Sequence, residues 1–274
     1  MIRENAKLDE EYVKEYCKKY NIELFIKHAE IKKIANINKK GIEETGRKVR
    51  YDFFEDVMKN TNSNKIAIAH NSNDNAETMI MNLLRGSGVS GLKGIEPKRD
   101  NKYIRPLIKC SREEIEEYCK LNNIEPRIDE TNFENEYTRN KIRNICIPYI
   151  KKEFNPNIIN TLNRLSDTIR EEDEYVSLKV EETFKNILEE ELEGQIVLNL
   201  KKYLELEKVI KNRIIIYSIN RILGKSKDLQ KINIEDIVEM CEKNIGNKFI
   251  MPNKNVKVML KNKKIYFIKN NLEI

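Results

Sequence analysis

The chain has 274 residues, 39% hydrophobic and 35% charged, with a formal net charge of +6, which suits one large domain or two ordinary ones under a well-wetted surface. No run of about 18 apolar residues and no signal-peptide pattern in residues 1–30 occurs, so neither a membrane span nor secretion is expected. The five cysteines, Cys17, Cys110, Cys119, Cys146 and Cys241, form no C-x-x-C pair and read as reduced thiols of a cytoplasmic protein, while the mild basic excess permits an anionic partner without proving one.

Asp9 to Tyr20 has helical periodicity, with Tyr12, Val13, Tyr16, Cys17 and Tyr20 on one face. Ile22 to Ala29 alternates like a strand. Glu43 to Met58 reads as a helix turning Val49, Phe53, Phe54, Val57 and Met58 inward. Lys65 to Ala69 reads as a short apolar strand ending at His70. Asp74 to Leu84 follows as a helix with Asp74 and Glu77 in its first turn and Met79, Ile80, Leu83 and Leu84 buried. Gly86 ends that helix, and Gly88, Gly91 and Gly94 punctuate the loop after it. Ser111 caps another helix, with Glu114 completing a capping box. Helices alternating with short apolar strands imply an α/β domain with a doubly wound parallel sheet.

From Thr138 to Leu223 helical patterns dominate, interrupted near Glu191 to Asn199. A turn is expected at Phe154-Asn155-Pro156-Asn157, and a helix from Ile158. Three small strands are expected at Lys248 to Met251, Val256 to Leu260 and Lys264 to Ile268. The expected division is a domain at 1–170 followed by a mainly helical domain with a few short strands at 171–274.

The chemistry-bearing residues concentrate after Lys65. A histidine at a strand end is, taken alone, more often simply satisfied than functional. Here the following Asn-Ser-Asn-Asp run is too polar for packing and too short for a free loop. Open α/β sheets place their ligand crevice at the carboxyl ends of strands. Asp74 and Glu77 also suit the positive end of a helix dipole, which explains their sign but not the histidine. Arg47 and Arg50, three apart on a helix, are either a solvated face or a phosphate clamp. Arg139 and Arg143 lie one turn apart, with Asn140 beside them. Lys201, Lys202, Lys208, Lys211, Arg213 and Arg221 make the second domain basic, as a solvated face or as contacts to a polyanion.

Four segments in order resemble the PP-loop ATP pyrophosphatases, and within them the tRNA(Ile)-lysidine synthetases. They are Arg47-Lys48-Val49-Arg50-Tyr51, the stretch from Ala69 through His70, Asp74, Glu77 and Thr78 to Arg85-Gly86-Ser87-Gly88, Ile104-Arg105-Pro106-Leu107, and Arg127 to Asn132 with Tyr137 to Arg143. Together they span roughly residues 1–170. The family's S-G-G-x-D-S nucleotide loop has no counterpart, and neither a G-x-x-x-x-G-K-[ST] nor a G-x-G-x-x-G motif is expected anywhere in its place. Met1-Ile2-Arg3 resembles the tail of the family's N-H-x-L-R segment. The first strand and loop are thus expected to be missing, and this chain alone is expected to be inactive.

The resemblance implies a ligase that uses ATP and Mg2+ to join free lysine to C2 of the wobble cytidine of tRNA(Ile) through an adenylated intermediate. It implies catalytic roles for His70, Asp74 and Arg139, ATP contacts from Arg47 and Arg50, a metal contact from Asp74, and substrate contacts from Glu77, Asn140 and Arg143. It admits a homodimer and no membrane association. Two alternatives stay open: a non-catalytic tRNA-binding remnant, and another PP-loop tRNA-modifying enzyme such as a thiolase, against which the lack of C-x-x-C pairs counts.

Overall fold

The computed structural model describes residues 4–127, 135, 137–224, 229–244 and 248–270. Met1-Ile2-Arg3 and residues 128–132 of the resembling segment lie outside them. The chain divides into two compact units, Met1–Ile169 and Arg170–Ile274. Among the described residues no helix is long and apolar enough to cross a membrane.

The first unit runs α1 (Glu4–Lys19), α2 (Ile31–Ile37), α3 (Ile42–Asn60), β1 (Ile66–Ala67), α4 (Ser72–Leu84), α5 (Val89–Leu92), β2 (Lys98–Arg99), β3 (Tyr103–Ile104) and α6 (Arg112–Leu121). It continues with α7 (Thr138–Lys141), a π-helical stretch (Ile142–Cys146), α8 (Ile147–Glu153) and the start of α9 (Ile158–Ile187). Its sheet has the order β1-β3-β2; β1 and β3 are parallel, whereas β2 is an antiparallel neighbour. The parallel strand–helix–strand unit β1-α4-β3 is thus joined by one hairpin strand.

The strand expected at Ile22 to Ala29 does not form. Its alternation is real, but a strand needs a hydrogen-bonding neighbour, and no described strand pairs with it. Ile22, Phe25 and Ile26 are accordingly exposed.

α4 begins two residues before the sequence-based reading. Asn71 caps it, accepting from the Asp74 N–H at 2.9 Å, while the Asp74 carboxylate accepts from the Asn71 N–H at 3.0 Å. That reciprocal box satisfies two N–H groups that a helix start otherwise leaves orphaned. It also moves Glu77 into the second turn. Met79 and Ile80 are buried, but Leu83 and Leu84 are 61% and 69% exposed, because only the N-terminal part of the helix is packed. Ala76 and Ile80 meet Ile142, Ile147 and Ile159 in one apolar cluster.

The π stretch has a local cause. Pro148 sits at the start of α8, and proline cannot donate a backbone hydrogen bond and crowds the carbonyl four residues earlier. The helix widens there, and the Ile147 N–H bonds back five residues to Ile142.

Gly86, Gly88 and Gly91 do have G-x-G-x-x-G spacing, but they follow α4 rather than a strand. The context of a dinucleotide fingerprint is therefore absent. Gly86 closes α4 with φ of 72°, as a helix C-terminus favours.

The second unit takes the rest of α9, then β4 (Leu188–Leu192), β5 (Gln195–Asn199), α10 (Leu200–Leu204), α11 (Lys208–Leu223), α12 (Lys231–Glu242), β6 (Phe249–Asn253), β7 (Val256–Lys261) and β8 (Lys264–Lys269). The interruption near Glu191 to Asn199 is a hairpin, and with the three expected strands it makes a five-stranded antiparallel sheet, β4-β5-β8-β7-β6. Alternate residues Val256, Val258 and Leu260 of β7, and Ile265 and Phe267 of β8, face one core, as a one-sided sheet requires.

Candidate functional site

Asp74, Glu77, Arg139 and Arg143 form one ion cluster. Arg139 donates from Nε to Glu77 Oε2 at 2.8 Å and from Nη2 to Asp74 Oδ1 at 3.0 Å. Arg143 donates from Nε to Glu77 Oε1 at 2.6 Å, and from Nη2 to Asp74 Oδ1 at 3.1 Å and Glu77 Oε2 at 3.0 Å. Packing explains the meeting. Ile142 and Ile147 flank Arg143 and bury against Ala76 and Ile80 of α4, so both arginines are carried onto the face that bears the carboxylates.

The cluster balances two positive against two negative charges. Glu77 is only 1% exposed, and a carboxylate that far from water stays charged only when paired and hydrogen-bonded. Both of its oxygens are engaged, which leaves it closed to an incoming amine in this arrangement. Asp74 accepts on both oxygens as well, on Oδ1 from the two arginines and on Oδ2 from the Asn71 N–H of the helix cap. Among the described residues no group of three His, Cys, Asp or Glu side chains is placed to hold a metal ion. Arg139 is the most exposed member, at 37% of its side chain, and its Nη1 makes no hydrogen bond among the described residues. Asn140 is half-buried beside it on α7.

His70 stands just before the Asn71 cap. It is half-buried, and its Nδ1 accepts from Arg105 Nε at 3.1 Å. Burial pushes its pKa below the ordinary histidine value; Arg105, Arg139 and Arg47 add to that, and Asp74 opposes it. Arg105, 6% exposed, carries no role in the sequence-based reading. An arginine between an apolar strand and a proline was the available signal.

Arg47 and Arg50 lie on α3, both exposed. Arg47 stacks 4.9 Å over the Tyr51 ring and donates to its hydroxyl at 3.3 Å. Arg99 lies against the edge-to-face pair of Tyr51 and Tyr103, 4.8 and 4.4 Å from their centroids. Arg50 makes no hydrogen bond or ion pair among the described residues. In the second unit, Lys211 is buried and pairs with Glu242 at 3.0 Å, Arg213 pairs with Asp173, and Arg221 pairs with Glu191. These three are structural rather than a free basic face. Lys201 and Lys208 are exposed.

A family model described as the PP-loop domain matches residues 1–150. A tRNA(Ile)-lysidine synthase of Clostridium acetobutylicum is 42% identical over 251 residues, 91% of this chain and 54% of that protein. Those of Clostridium tetani, 40% identical over 250 residues (91% and 53%), and Clostridioides difficile, 39% identical over 256 residues (93% and 55%), are similar in the same way. The chain spans about half the length of these curated relatives. The strand end at His70, the capped helix with Asp74 and Glu77, and the segment with Arg139 and Arg143 all fall inside the matched stretch, and the chain belongs to the PP-loop domain family.

Proposed function

We propose that this chain serves the synthesis of lysidine on tRNA(Ile) in the cytoplasm. ATP adenylates the C2 oxygen of the wobble cytidine and releases pyrophosphate. The ε-amine of free lysine then bonds to C2, the C2–O bond breaks, AMP departs, and the nitrogen loses a proton. Arg139 aims its unengaged Nη1 at the phosphate carrying the developing charge, the use to which fixed cations are best put in catalysis. Asp74, Glu77 and Arg143 hold Arg139 in place, Asn140 contacts substrate next to it, and Arg47 and Arg50 meet ATP phosphates from α3. No step is assigned to magnesium.

The observation that carries this reading is the extent of the similarity. Identity of about 40% to proteins named tRNA(Ile)-lysidine synthase runs over 91% of the chain, well past residue 150 and through the second unit. An enzyme sharing only the PP-loop domain would match only the first part.

The test is transfer of labelled lysine to tRNA(Ile), by a protein that carries this sequence together with an S-G-G-x-D-S loop. ATP-dependent transfer to tRNA with cytidine at the wobble position, and none with uridine there, is expected. Arg139→Lys should lower kcat at least tenfold, as loss of a fixed transition-state contact does. A folded protein that transfers no lysine defeats the proposal.

A further inference from the structure

Arg105 meets His70 from one side and is itself tightly held. Its backbone N–H donates to the Pro97 carbonyl at 3.0 Å and its Nη1 to the Glu96 carbonyl, and the residue is 6% exposed. The guanidinium orientation is therefore set by the chain around it. Its Nε–H points at His70 Nδ1, 3.1 Å away. A guanidinium has donors only and keeps its protons at any pH a protein meets. Nδ1 must then be the acceptor, and the single proton of the neutral ring must sit on Nε2.

We propose that Arg105 is a positioning residue that fixes His70 as a neutral imidazole with its proton on Nε2. In that form His70 cannot act as a general base, because its lone pair is already committed to Arg105. It can donate one hydrogen bond, and the chemical partner that suits it is an oxygen acceptor, such as a phosphate or a pyrimidine carbonyl. The surroundings act in the same direction. The charged groups around His70 are Arg105, Arg139 from α7, Arg47 from α3 and Asp74 from α4. Three are cations that disfavour an imidazolium, and Asp74 is already shared by two arginines. Neutral histidines that polarise an oxygen by donation are an established catalytic device. Which substrate oxygen His70 serves rests on the proposed function; the ring's protonation state does not.

The 15N-labelled 274-residue chain tests this directly. Long-range 1H–15N spectra report both ring nitrogens, and only two histidines are present, His28 and His70. His70→Gln assigns the signals, and His28 is the internal control. At pH 7.5 His70 should show an unprotonated Nδ1 and a fully protonated Nε2. Arg105→Met should move the two nitrogen shifts toward each other and raise the His70 titration, with His28 unmoved. Arg105→Lys, which keeps the charge but loses the planar fork, should mix the tautomers with a smaller rise. A parent spectrum with the proton on Nδ1, or with the tautomer mixture of free histidine, overturns the inference, as do unchanged shifts in a folded Arg105→Met. Should Arg105→Met unfold, the parent spectrum decides by itself. The expected tautomer without lysine transfer would defeat the proposed function and leave this inference standing.

Discussion

Glu77 carries its charge at 1% exposure because Arg139 and Arg143 both donate to it. Removing that charge leaves two guanidiniums facing one remaining carboxylate. Breaking a buried pair typically costs about 3–5 kcal/mol, and the partial exposure of the arginines puts Glu77→Gln at about 2–3 kcal/mol. Asp74→Asn should cost about 1 kcal/mol, since Asp74 is nearer the surface and the amide can still accept from the Asn71 N–H. Urea denaturation at pH 7.5 measures both; a Glu77→Gln protein as stable as the parent would show that the cluster is not what keeps Glu77 charged. His70 contributes with a definite sign. Its folded pKa lies below the unfolded value of 6.5, so its contribution is present above that value and is lost as pH falls through the folded pKa. The parent should lose stability faster than His70→Gln on going from pH 7.5 to 5, and parallel pH curves would contradict the burial of His70. All these residues stood out in the sequence, but their pairing did not: the partners lie 62 to 69 residues apart, and a single chain carries no local mark of such a contact.

At the scale of elements, α4 shows which features are local. The capping boxes at Asn71 and Ser111 obey nearest-neighbour rules, and the one at Ser111 and Glu114 was readable in advance and is present. The loop after α4 depends instead on a distant side chain. Gly94 has φ of 66°, and a Cβ there would stand 2.1 Å from Asn75 Oδ1, the atom that accepts from the Ile95 N–H at 2.6 Å. Asn75 also donates to Asn163 Oδ1 at 2.8 Å. Gly94→Ala therefore strains the backbone and breaks a buried amide chain, for a loss of about 2–4 kcal/mol. Gly88→Ala, with φ of −68° and nothing within 4 Å, should change stability by no more than about 0.5 kcal/mol. Thermal melts of the two variants check the contrast; equal melting temperatures would remove the steric argument. The strand expected at Ile22 to Ala29 failed for the converse reason, because alternation records a face but not a neighbour.

For the whole molecule, charge is the property that reaches a polyanion such as tRNA. Net charge is only +6, and several cations of the second unit are spent internally. Lys211→Ala should cost about 1–2 kcal/mol, since it removes a buried stem and the partner of Glu242, yet leave the salt dependence of tRNA binding as it was. Replacing the exposed Lys201 and Lys208 with Ala should flatten the slope of log K against log salt by about 1 to 2 if both touch phosphate. Titrations across several salt concentrations separate the cases, and a change of slope in Lys211→Ala would refute its structural role. What the sequence by itself determined are the properties that act over a few residues: helix periodicity, caps, the alternation of the last strands, and the motif-bearing segments with their residue types. Tertiary structure alone decided that Glu191 to Asn199 joins a five-stranded sheet, that Glu77 is closed by two arginines, and that Arg105 commits the lone pair of His70. The physical reason is common to all three: pairing, burial and ionisation depend on which distant groups arrive within about 3 Å, and folding, not spacing along the chain, brings them there.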